Sequence, residues 1–226
     1  MFKAVIFDMD GVIIDSEPIH FKVEKRLFEG LGLAISDVEH HSFVGTTSRW
    51  MWSYIKDKYK LNQSIEELVQ MEATSYIDHL LSQKDEKPIA GVVDLIQELR
   101  GNNVRLAVAS SASVRNIDIV LKMFNLEKFF EARISGDEVR NGKPAPDVFL
   151  HCAKTLGLRP GECIVMEDSK NGVEAAKAAG MKCIGFKNPN SGEQDLSAAD
   201  MVIGSFSGLG YRRLRRIYEG WLKGSR

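Results

Sequence analysis

The chain has 226 residues, of which 44% are apolar and 27% are charged, so it can bury a sizeable core and extensive disorder is not expected. Its 30 Lys and Arg residues nearly balance 31 Asp and Glu residues, which leaves no net basic field to bind nucleic acid. No apolar run approaches the ~20 residues of a membrane span, and the N-terminus leads into a predicted strand instead of a signal peptide, so we expect a cytoplasmic protein.

The first predicted element is a strand over residues 4–7. Its four consecutive apolar residues, AVIF, are typical of a strand buried on both faces, as in a parallel sheet. Asp8, Asp10 and Gly11 follow directly. An Asp-x-Asp-Gly sequence can be a simple turn, since both residue types favour turns. In an open α/β sheet, however, ligands bind beyond the carboxyl ends of the strands, so the two acids also indicate a site.

Helical spacing replaces strand spacing after this glycine. The apolar residues predict a helix capped by Ser16, a second helix over residues 48–59 and a third over residues 64–82. No segment between residue 15 and about residue 83 is typical of a strand. This part of the chain therefore predicts a helical unit.

Linker composition marks the end of the helical unit. A polar run precedes Pro88 and Gly91, and the apolar pattern changes beyond it. We therefore expect two domains, a helical cap domain over residues 15–87 and an α/β core domain made of residues 1–14 and 88–226.

Strands and helices alternate over the rest of the chain. Helical spacing predicts, among others, a helix over residues 113–124 that packs against a sheet. The alternation predicts an α/β fold with a doubly wound parallel sheet and right-handed crossovers. The predicted strands lie at residues 104–110, 131–134, 162–169, 182–186 and 201–203.

Four strand-to-loop junctions of this predicted sheet carry polar side chains. Such junctions lie along one edge of a parallel sheet, so we expect the side chains to converge. Convergence of four junctions makes the simple-turn interpretation of Asp-x-Asp-Gly much less favourable. The junction residues are Asp8 with Asp10, Ser110, Lys143, and Glu167 with Asp168.

The residue types at these junctions indicate phosphoryl transfer. Clustered carboxylates repel one another unless a cation is bound, and a small set of oxygen ligands suits Mg²⁺. One carboxylate can attack phosphorus and form an aspartyl-phosphate. Ser110 and Lys143 would hold the phosphoryl oxygens. Asp10 would protonate the leaving oxygen and then activate the attacking water.

Four segments of the sequence resemble the motifs of the haloacid dehalogenase-like hydrolase superfamily. They are FDMDGVIIDSE, VASS, NGKPAPD and VMEDSKNGVEAAKAAGM, in this order. The helical insertion is similar to the small cap of the subgroup that contains β-phosphoglucomutase, sugar phosphatases and phosphoglycolate phosphatases. Dehalogenases proper lack the second acid, so Asp10 indicates phosphoryl transfer. The resemblance implies a small phosphorylated substrate. The charge balance and the lack of a long apolar run predict that neither nucleic acid nor a membrane is a partner.

The resemblance also implies roles for the junction residues. Asp8 would be the nucleophile and Asp10 the acid and base. Mg²⁺ would be bound by Asp8, the backbone carbonyl of Asp10 and Asp168, with Glu167 bound to the ion or beside it. The phosphate-holding positions of the second and third motifs are matched by Ser110 and Lys143.

Cap residues give less specific signals. His20 and Arg49 fall near positions that help govern cap closure and grip a substrate phosphate in β-phosphoglucomutase, although a helix-face histidine and a solvated arginine are equally open alternatives. GTTSR, residues 45–49, resembles the Gly-containing specificity loop of the cap. His40 and His41 lack a third ligand at metal spacing, so we expect both at the surface.

The sequence favours a phosphatase over a phosphomutase. Ala112 and Val114 occupy positions where β-phosphoglucomutase has side chains that hold a second phosphate, and neither can donate a hydrogen bond. A phosphomutase is the alternative. A catalytically silent phosphate-binding module is a remote third possibility, since no acid of the motifs is lost.

We expect a monomer. Buried free thiols are predicted at Cys152, Cys163 and Cys183, which are odd in number and lack Cys-x-x-Cys spacing.

Overall fold

The computed structural model describes residues 1–43, 46–82 and 85–224. These residues form a six-stranded parallel sheet with the strand order β3-β2-β1-β4-β5-β6, which confirms the predicted doubly wound α/β fold. Each predicted strand agrees with an observed one to within two residues at either end. The strands are β1 (Ala4–Phe7), β2 (Arg105–Ser110), β3 (Ala132–Ser135), β4 (Cys163–Glu167), β5 (Lys182–Phe186) and β6 (Met201–Ile203).

Helices connect the strands and cover the sheet. Short 3₁₀ turns lie at Glu127–Phe129, Gly136–Glu138 and Pro160–Glu162. The α-helices are α1 (Glu17–Gly30), α2 (Asp37–His41), α3 (Ser48–Tyr59), α4 (Ile65–Ser82), α5 (Val92–Gly101), α6 (Val114–Met123), α7 (Asp147–Thr155), α8 (Lys170–Ala178) and α9 (Tyr211–Gly224). Among the described residues, no helix is both long and apolar enough to cross a membrane.

Strand β1 is buried on both faces because its side chains alternate between two apolar layers. Val5 and Phe7 belong to the layer that contains residues of α5, α6 and α9. Ala4 and Ile6 belong to the opposite layer, which contains residues of α7 and α8. Burial of two apolar faces explains why the sequence of this strand is uniformly apolar. All three cysteines are free and buried, as predicted.

The register of the sheet brings the carboxyl ends of three strands to one edge. Phe7 of β1 pairs with Val108 of β2 on one side and with Met166 of β4 on the other. The next residue of each strand is then level with the others, so Asp8 lies between the ends of β2 and β4. Ser110 and Glu167 end these two strands. The register of these three strands therefore brings Asp8, Ser110 and Glu167 close together.

Four helices, α1 to α4, lie between β1 and α5 in the chain, and no strand occurs among the described residues from 15 to 82. Trp52 is fully buried in an apolar cluster of these helices, with Phe28, Ile55 and Leu68 around it.

The prediction that the Ser16 side chain caps α1 is wrong. Ser16 itself adopts a helical conformation, with φ −80° and ψ −25°, so its side chain makes no capping hydrogen bond.

The two chain crossings between the helical segment and the sheet run side by side. Ile14 forms an isolated antiparallel bridge with Pro88, and the backbone N–H of Ile89 donates to the carbonyl of Ile13 at 2.9 Å. The division of the chain into a core of residues 1–14 and 88–226 and a cap of residues 15–87 stays a prediction.

Candidate active site

A buried lysine links two carboxylates at the edge of the sheet. Lys143, in the loop between β3 and α7, donates from Nζ to Asp8 Oδ1 at 2.5 Å and to Glu167 Oε1 at 2.7 Å. It also donates to the carbonyl of Ala109 at 3.2 Å. Lys143 and both acids are almost completely buried. An ammonium that is tied to three acceptors is held in one position between β1, β2 and β4.

Burial and mutual repulsion perturb the charges of these groups. Burial raises the pKa of Asp8 well above its ordinary value, although Lys143 opposes this and Glu167 adds to it. Burial alone would lower the pKa of Lys143, but Asp8 and Glu167 outweigh it and raise that pKa, so the ammonium stays charged. Burial, and then the charge of Glu167, raise the pKa of Asp168 to about 7. These four side chains comprise three acids and one cation, so a second cation would stabilise the ionised acids.

Glu167 is fixed by the start of helix α8 as well as by Lys143. Its Oε2 accepts from the backbone N–H of Ser169 at 2.8 Å and from the Ser169 hydroxyl at 2.9 Å. The same hydroxyl accepts from the N–H of Gly172 and caps α8. A Cβ at Gly172 would lie only 1.6 Å from Glu167 Oε1. Both oxygens of Glu167 are therefore engaged by the protein, and Gly172 is a site residue that the sequence analysis missed.

Asp168 is held by a loop on the other side of the site. The Ser191 hydroxyl donates to Asp168 Oδ2 at 2.5 Å. Gly11 faces this carboxylate with φ +75°, and a Cβ there would lie 1.9 Å from Asp168 Oδ2. The loop that carries Ser191 is anchored because Asn188 and Asn190 both donate to the carboxylate of Asp15. Ser191 was also missed, since nothing near it in the sequence shows that it reaches Asp168.

Asp10 and Ser110 complete the group of predicted residues. The Ser110 hydroxyl lies 3.4 Å from Asp10 Oδ2, a long hydrogen bond, and accepts from the backbone N–H of Ala112 at 3.0 Å. Asp10 is half-buried, whereas Asp8 is buried. The structure therefore brings all six predicted junction residues to one edge of the sheet. Their chemical roles stay predictions.

A cavity of about 700 Å³ lies between helices α1 to α4 and the loop that follows β5. His20 lines this cavity, and its ring stacks on the ring of Tyr76 with centroids 4.3 Å apart. Arg49 instead lies at the surface, 64% exposed, and pairs with Glu66 at 2.9 Å. The charged residues that line the cavity are Glu17, Lys22, Glu24 and Glu72, and Lys22 pairs with Glu86 at 3.4 Å. His20, Thr47 and Asn190 are among its other polar lining residues.

Four residues of the GTTSR segment, 46–49, belong to the described structure. Gly45 lies outside the described residues, while Thr46, Thr47 and Ser48 line the cavity. The structure thus brings three residues of the predicted specificity loop to the cavity that His20 also lines.

The expectation that both histidines of the His40-His41 pair lie at the surface is wrong for His40. Its side chain is 3% exposed, stacks on Phe21 and has Nε2 at 2.6 Å from Glu24 Oε2. Both partners come from α1, which is distant in sequence from α2, so local spacing did not indicate them. His41 is exposed, as expected.

A possible metal-binding group lies beside His40 in the cavity wall. Ligand atoms of His20, Glu24 and Glu72 lie within 4.8 Å of one another, a spacing at which these side chains could hold a metal ion. Glu72 is the buried member and accepts hydrogen bonds from Ser48 and Trp52. This group is separate from the acids at the edge of the sheet.

Comparison with known proteins finds relatives that act on phosphorylated sugars and a matching family model. The family model described as haloacid dehalogenase-like hydrolase matches residues 5–186. A phosphorylated carbohydrates phosphatase of Thermotoga maritima is 35% identical over 185 residues, covering 80% of this chain and 83% of the relative. A β-phosphoglucomutase of Bacillus subtilis is 29% identical over 225 residues, covering 97% of this chain and 95% of the relative.

Solved structures agree with the sequence relatives. The crystal structure of CbbY from Rhodobacter sphaeroides in complex with phosphate has a TM-score of 0.81 and 25% identity, covering 95% of this chain and 100% of that one. The predicted resemblance is confirmed, and so is the predicted enzyme class, a phosphoric monoester hydrolase. With its family model matched from residue 5 to residue 186, the chain belongs to the haloacid dehalogenase-like hydrolase family.

Proposed function

We propose that this protein is a Mg²⁺-dependent phosphatase that hydrolyses a small phosphorylated sugar through a covalent phosphoryl group on Asp8. The observation that carries the proposal is the buried Asp8–Lys143–Glu167 arrangement, with Asp10 and Asp168 on either side of it. The phosphorylated-carbohydrate phosphatase among the relatives supports a sugar phosphate as the substrate.

The residues present fit a magnesium ion. Asp8, Asp168 and the backbone carbonyl of Asp10 would supply oxygen ligands only, which is the set that Mg²⁺ prefers. Since Gly11 has no side chain, the Asp168 carboxylate can lie directly against the backbone that follows Asp10. When bound, the ion would neutralise phosphate oxygens beside the carboxylates. Glu167 has both oxygens engaged by Lys143 and Ser169, so we assign it to holding Lys143 and to the outer side of the ion.

The first half of the reaction forms the covalent intermediate. A carboxylate oxygen of Asp8 attacks phosphorus, and the bond from phosphorus to the leaving oxygen breaks. Asp10, in its protonated form, gives its proton to that oxygen, so the organic part leaves as a neutral alcohol. Lys143 and the Ser110 hydroxyl stabilise the charge on the other phosphoryl oxygens.

The second half releases phosphate. Asp10, now ionised, takes a proton from a water molecule whose oxygen attacks the phosphorus. The bond between phosphorus and Asp8 breaks, and the carboxylate of Asp8 and inorganic phosphate are regenerated. Asp10 is protonated again and ready for the next cycle, so protons balance over the two steps.

The charge of the cavity supports a phosphatase over a phosphomutase. A mutase must hold a second phosphate while its bisphosphate intermediate turns around. Glu17, Glu24 and Glu72 line the cavity, however, while Lys22 is paired with Glu86 and Arg49 is paired with Glu66 on the surface. A second phosphate would therefore meet three carboxylates and one lysine that already has a partner.

Two positions in the segment that follows Ser110 add no side-chain donor for a second phosphate. Ala112 and Val114 begin the segment that leads into α6, and neither side chain can donate a hydrogen bond. The β-phosphoglucomutase relative keeps the mutase as the second candidate. A silent phosphate-binding module is disfavoured, since Asp8, Asp10 and Asp168 are all retained. A monomeric and cytoplasmic protein stays a prediction.

A two-part assay tests the proposal. The protein with Mg²⁺ is incubated with a panel of phosphorylated sugars, and release of inorganic phosphate is measured. In parallel, β-glucose 1-phosphate with catalytic glucose 1,6-bisphosphate is followed for glucose 6-phosphate. We expect phosphate release and little glucose 6-phosphate. Efficient formation of glucose 6-phosphate without phosphate release would show that the protein is a mutase.

A further inference from the structure

Tyr76, in helix α4, has a buried hydroxyl without a hydrogen-bond partner. Its side chain is 3% exposed, and among the described residues the hydroxyl neither donates nor accepts a hydrogen bond. A buried polar group that stays unpaired destabilises a fold, so such groups are rare and call for an explanation. A phenylalanine would fill the same space without this cost. The hydroxyl is therefore better explained by a ligand than by packing.

The position of Tyr76 connects the cap helices to the acidic site. Helix α4 packs against α1, which follows the Asp10 loop, and against α6, which follows the Ser110 loop. The Tyr76 ring stacks on His20 with an angle of 5° between the planes, so its orientation is fixed. Asp10, Glu86 and Glu17 all lie near enough to act on its hydroxyl.

The hydroxyl can act only as a protonated group in these surroundings. Burial raises the pKa of Tyr76 far above its ordinary value, and the charges of Asp10, Glu86 and Glu17 add to this effect. The hydroxyl therefore keeps its proton and is available as a hydrogen-bond donor at neutral pH.

The proposed function, on which this inference rests, indicates which substrate oxygen would accept a hydrogen bond from the Tyr76 hydroxyl. The core residues Ser110 and Lys143 would hold the phosphoryl group, and Asp10 would protonate the leaving oxygen. The organic part of the substrate then extends from Asp10 toward the cap helices. We infer that the Tyr76 hydroxyl donates a hydrogen bond to a hydroxyl group of that organic part, close to the leaving oxygen, and so selects hydroxylated substrates.

Two substrates separate this contact from a contact with the phosphoryl group. p-Nitrophenyl phosphate has the phosphoryl group and a leaving oxygen but no hydroxyl. The comparison substrate is whichever of fructose 1-phosphate, glucose 6-phosphate and β-glucose 1-phosphate the parent protein hydrolyses with the highest kcat/KM. For Tyr76→Phe we expect kcat/KM to fall about 5- to 20-fold with the sugar phosphate and less than about twofold with p-nitrophenyl phosphate.

Tyr54→Phe is the matched control. It makes the same chemical change in α3, but Tyr54 is 42% exposed and its ring stacks on Trp50 instead of on His20. The ratio of the two kcat/KM values should stay at the parent value in this variant. The melting temperature of Tyr76→Phe should equal or exceed that of the parent, since an unpaired hydroxyl is removed.

The ratio of the two kcat/KM values does not depend on how much of the sample is folded, so it remains valid for a partly unfolded variant. Tyr76→Leu supplies a second test through the same ratio if Tyr76→Phe gives no folded protein. An unchanged ratio in Tyr76→Phe, or an equal loss with both substrates, would overturn the inference. Absence of hydrolysis of every substrate by the parent protein would instead refute the proposed phosphatase.

Discussion

Gly172→Ala should destabilise this protein, although the same substitution in most exposed helix positions is stabilising. Gly172 lies in the first turn of α8, and alanine has the higher helix propensity by about 1 kcal/mol. An added Cβ would lie 1.6 Å from Oε1 and 1.9 Å from Cδ of Glu167. Glu167 is 1% exposed, and both of its carboxylate oxygens accept hydrogen bonds. The clash therefore must displace a carboxylate with fixed partners.

The cost follows from the hydrogen bonds that Glu167 would lose. Lys143 donates to it at 2.7 Å, and Ser169 donates at 2.8 Å from its backbone N–H. A hydrogen bond to a charged group contributes about 1.5–3 kcal/mol, so losing two costs about 3–6 kcal/mol. Subtracting the gain of about 1 kcal/mol in helix propensity leaves a net destabilisation of about 2–5 kcal/mol.

Urea denaturation of the parent and of two glycine variants measures this cost. Gly220→Ala is the matched control, because Gly220 lies within α9 and a Cβ there would meet nothing within 4 Å. We expect Gly220→Ala to stabilise by about 0.5–1 kcal/mol and Gly172→Ala to destabilise. Phosphatase activity should fall in Gly172→Ala, since Lys143 loses one of its two carboxylate partners, and should be unchanged in Gly220→Ala.

A double-mutant cycle with Glu167→Ala identifies the cause. If the clash with Glu167 is responsible, adding Gly172→Ala to Glu167→Ala should be neutral or stabilising, because the obstructing side chain is gone. An equal destabilisation by Gly172→Ala in both backgrounds would refute this reasoning. It would show that the glycine is needed for the backbone and not for Glu167.

Three further predictions concern the site. Asp8→Asn should lower turnover by several orders of magnitude while the protein still folds, and activity within about tenfold of the parent would contradict a covalent role. Chelation should abolish phosphate release, Mg²⁺ should restore it, and Ca²⁺ should inhibit through its looser coordination; full activity in excess chelator would remove the metal from the mechanism. Arg49→Ala should change kcat/KM less than about twofold with a sugar phosphate, because Arg49 pairs with Glu66 at the surface. A tenfold loss would show that Arg49 reaches the substrate.

The strands, helices and junction residues of the α/β part could be predicted because the sequence patterns that indicate them are local. Four apolar residues in β1 followed by two acids predict a buried parallel strand that ends at a site, and the register of β1 with β2 and β4 brings Asp8, Ser110 and Glu167 together. The period of the apolar residues likewise predicted α3 to the residue, at Ser48–Tyr59. Patterns of this kind depend on neighbours within a few residues of one another.

Contacts between distant segments escaped the sequence analysis. His40 is buried because Glu24 and Phe21 of α1 pack on it, and no spacing within α2 indicates those partners. Ser191 reaches Asp168 only because Asn188 and Asn190 tie its loop to Asp15. The sequence around Gly172 does not indicate that its Cα lies against the side chain of Glu167. In each case, a side chain gains its role from a tertiary contact.

The sheet edge and the cap cavity differ in charge, and in the proposed function this difference would limit the substrate. At the sheet edge, Lys143 is a buried cation among acids. In the proposed function it would hold one phosphoryl group, with Mg²⁺ beside it. On the cap side, Glu72 is buried, and both burial and the charge of Glu24 raise its pKa, so a second anion there would raise the free energy further. Hydroxyl groups carry no charge and can donate to such carboxylates. The proposed function therefore predicts that a sugar with a single phosphate binds better than a sugar bisphosphate.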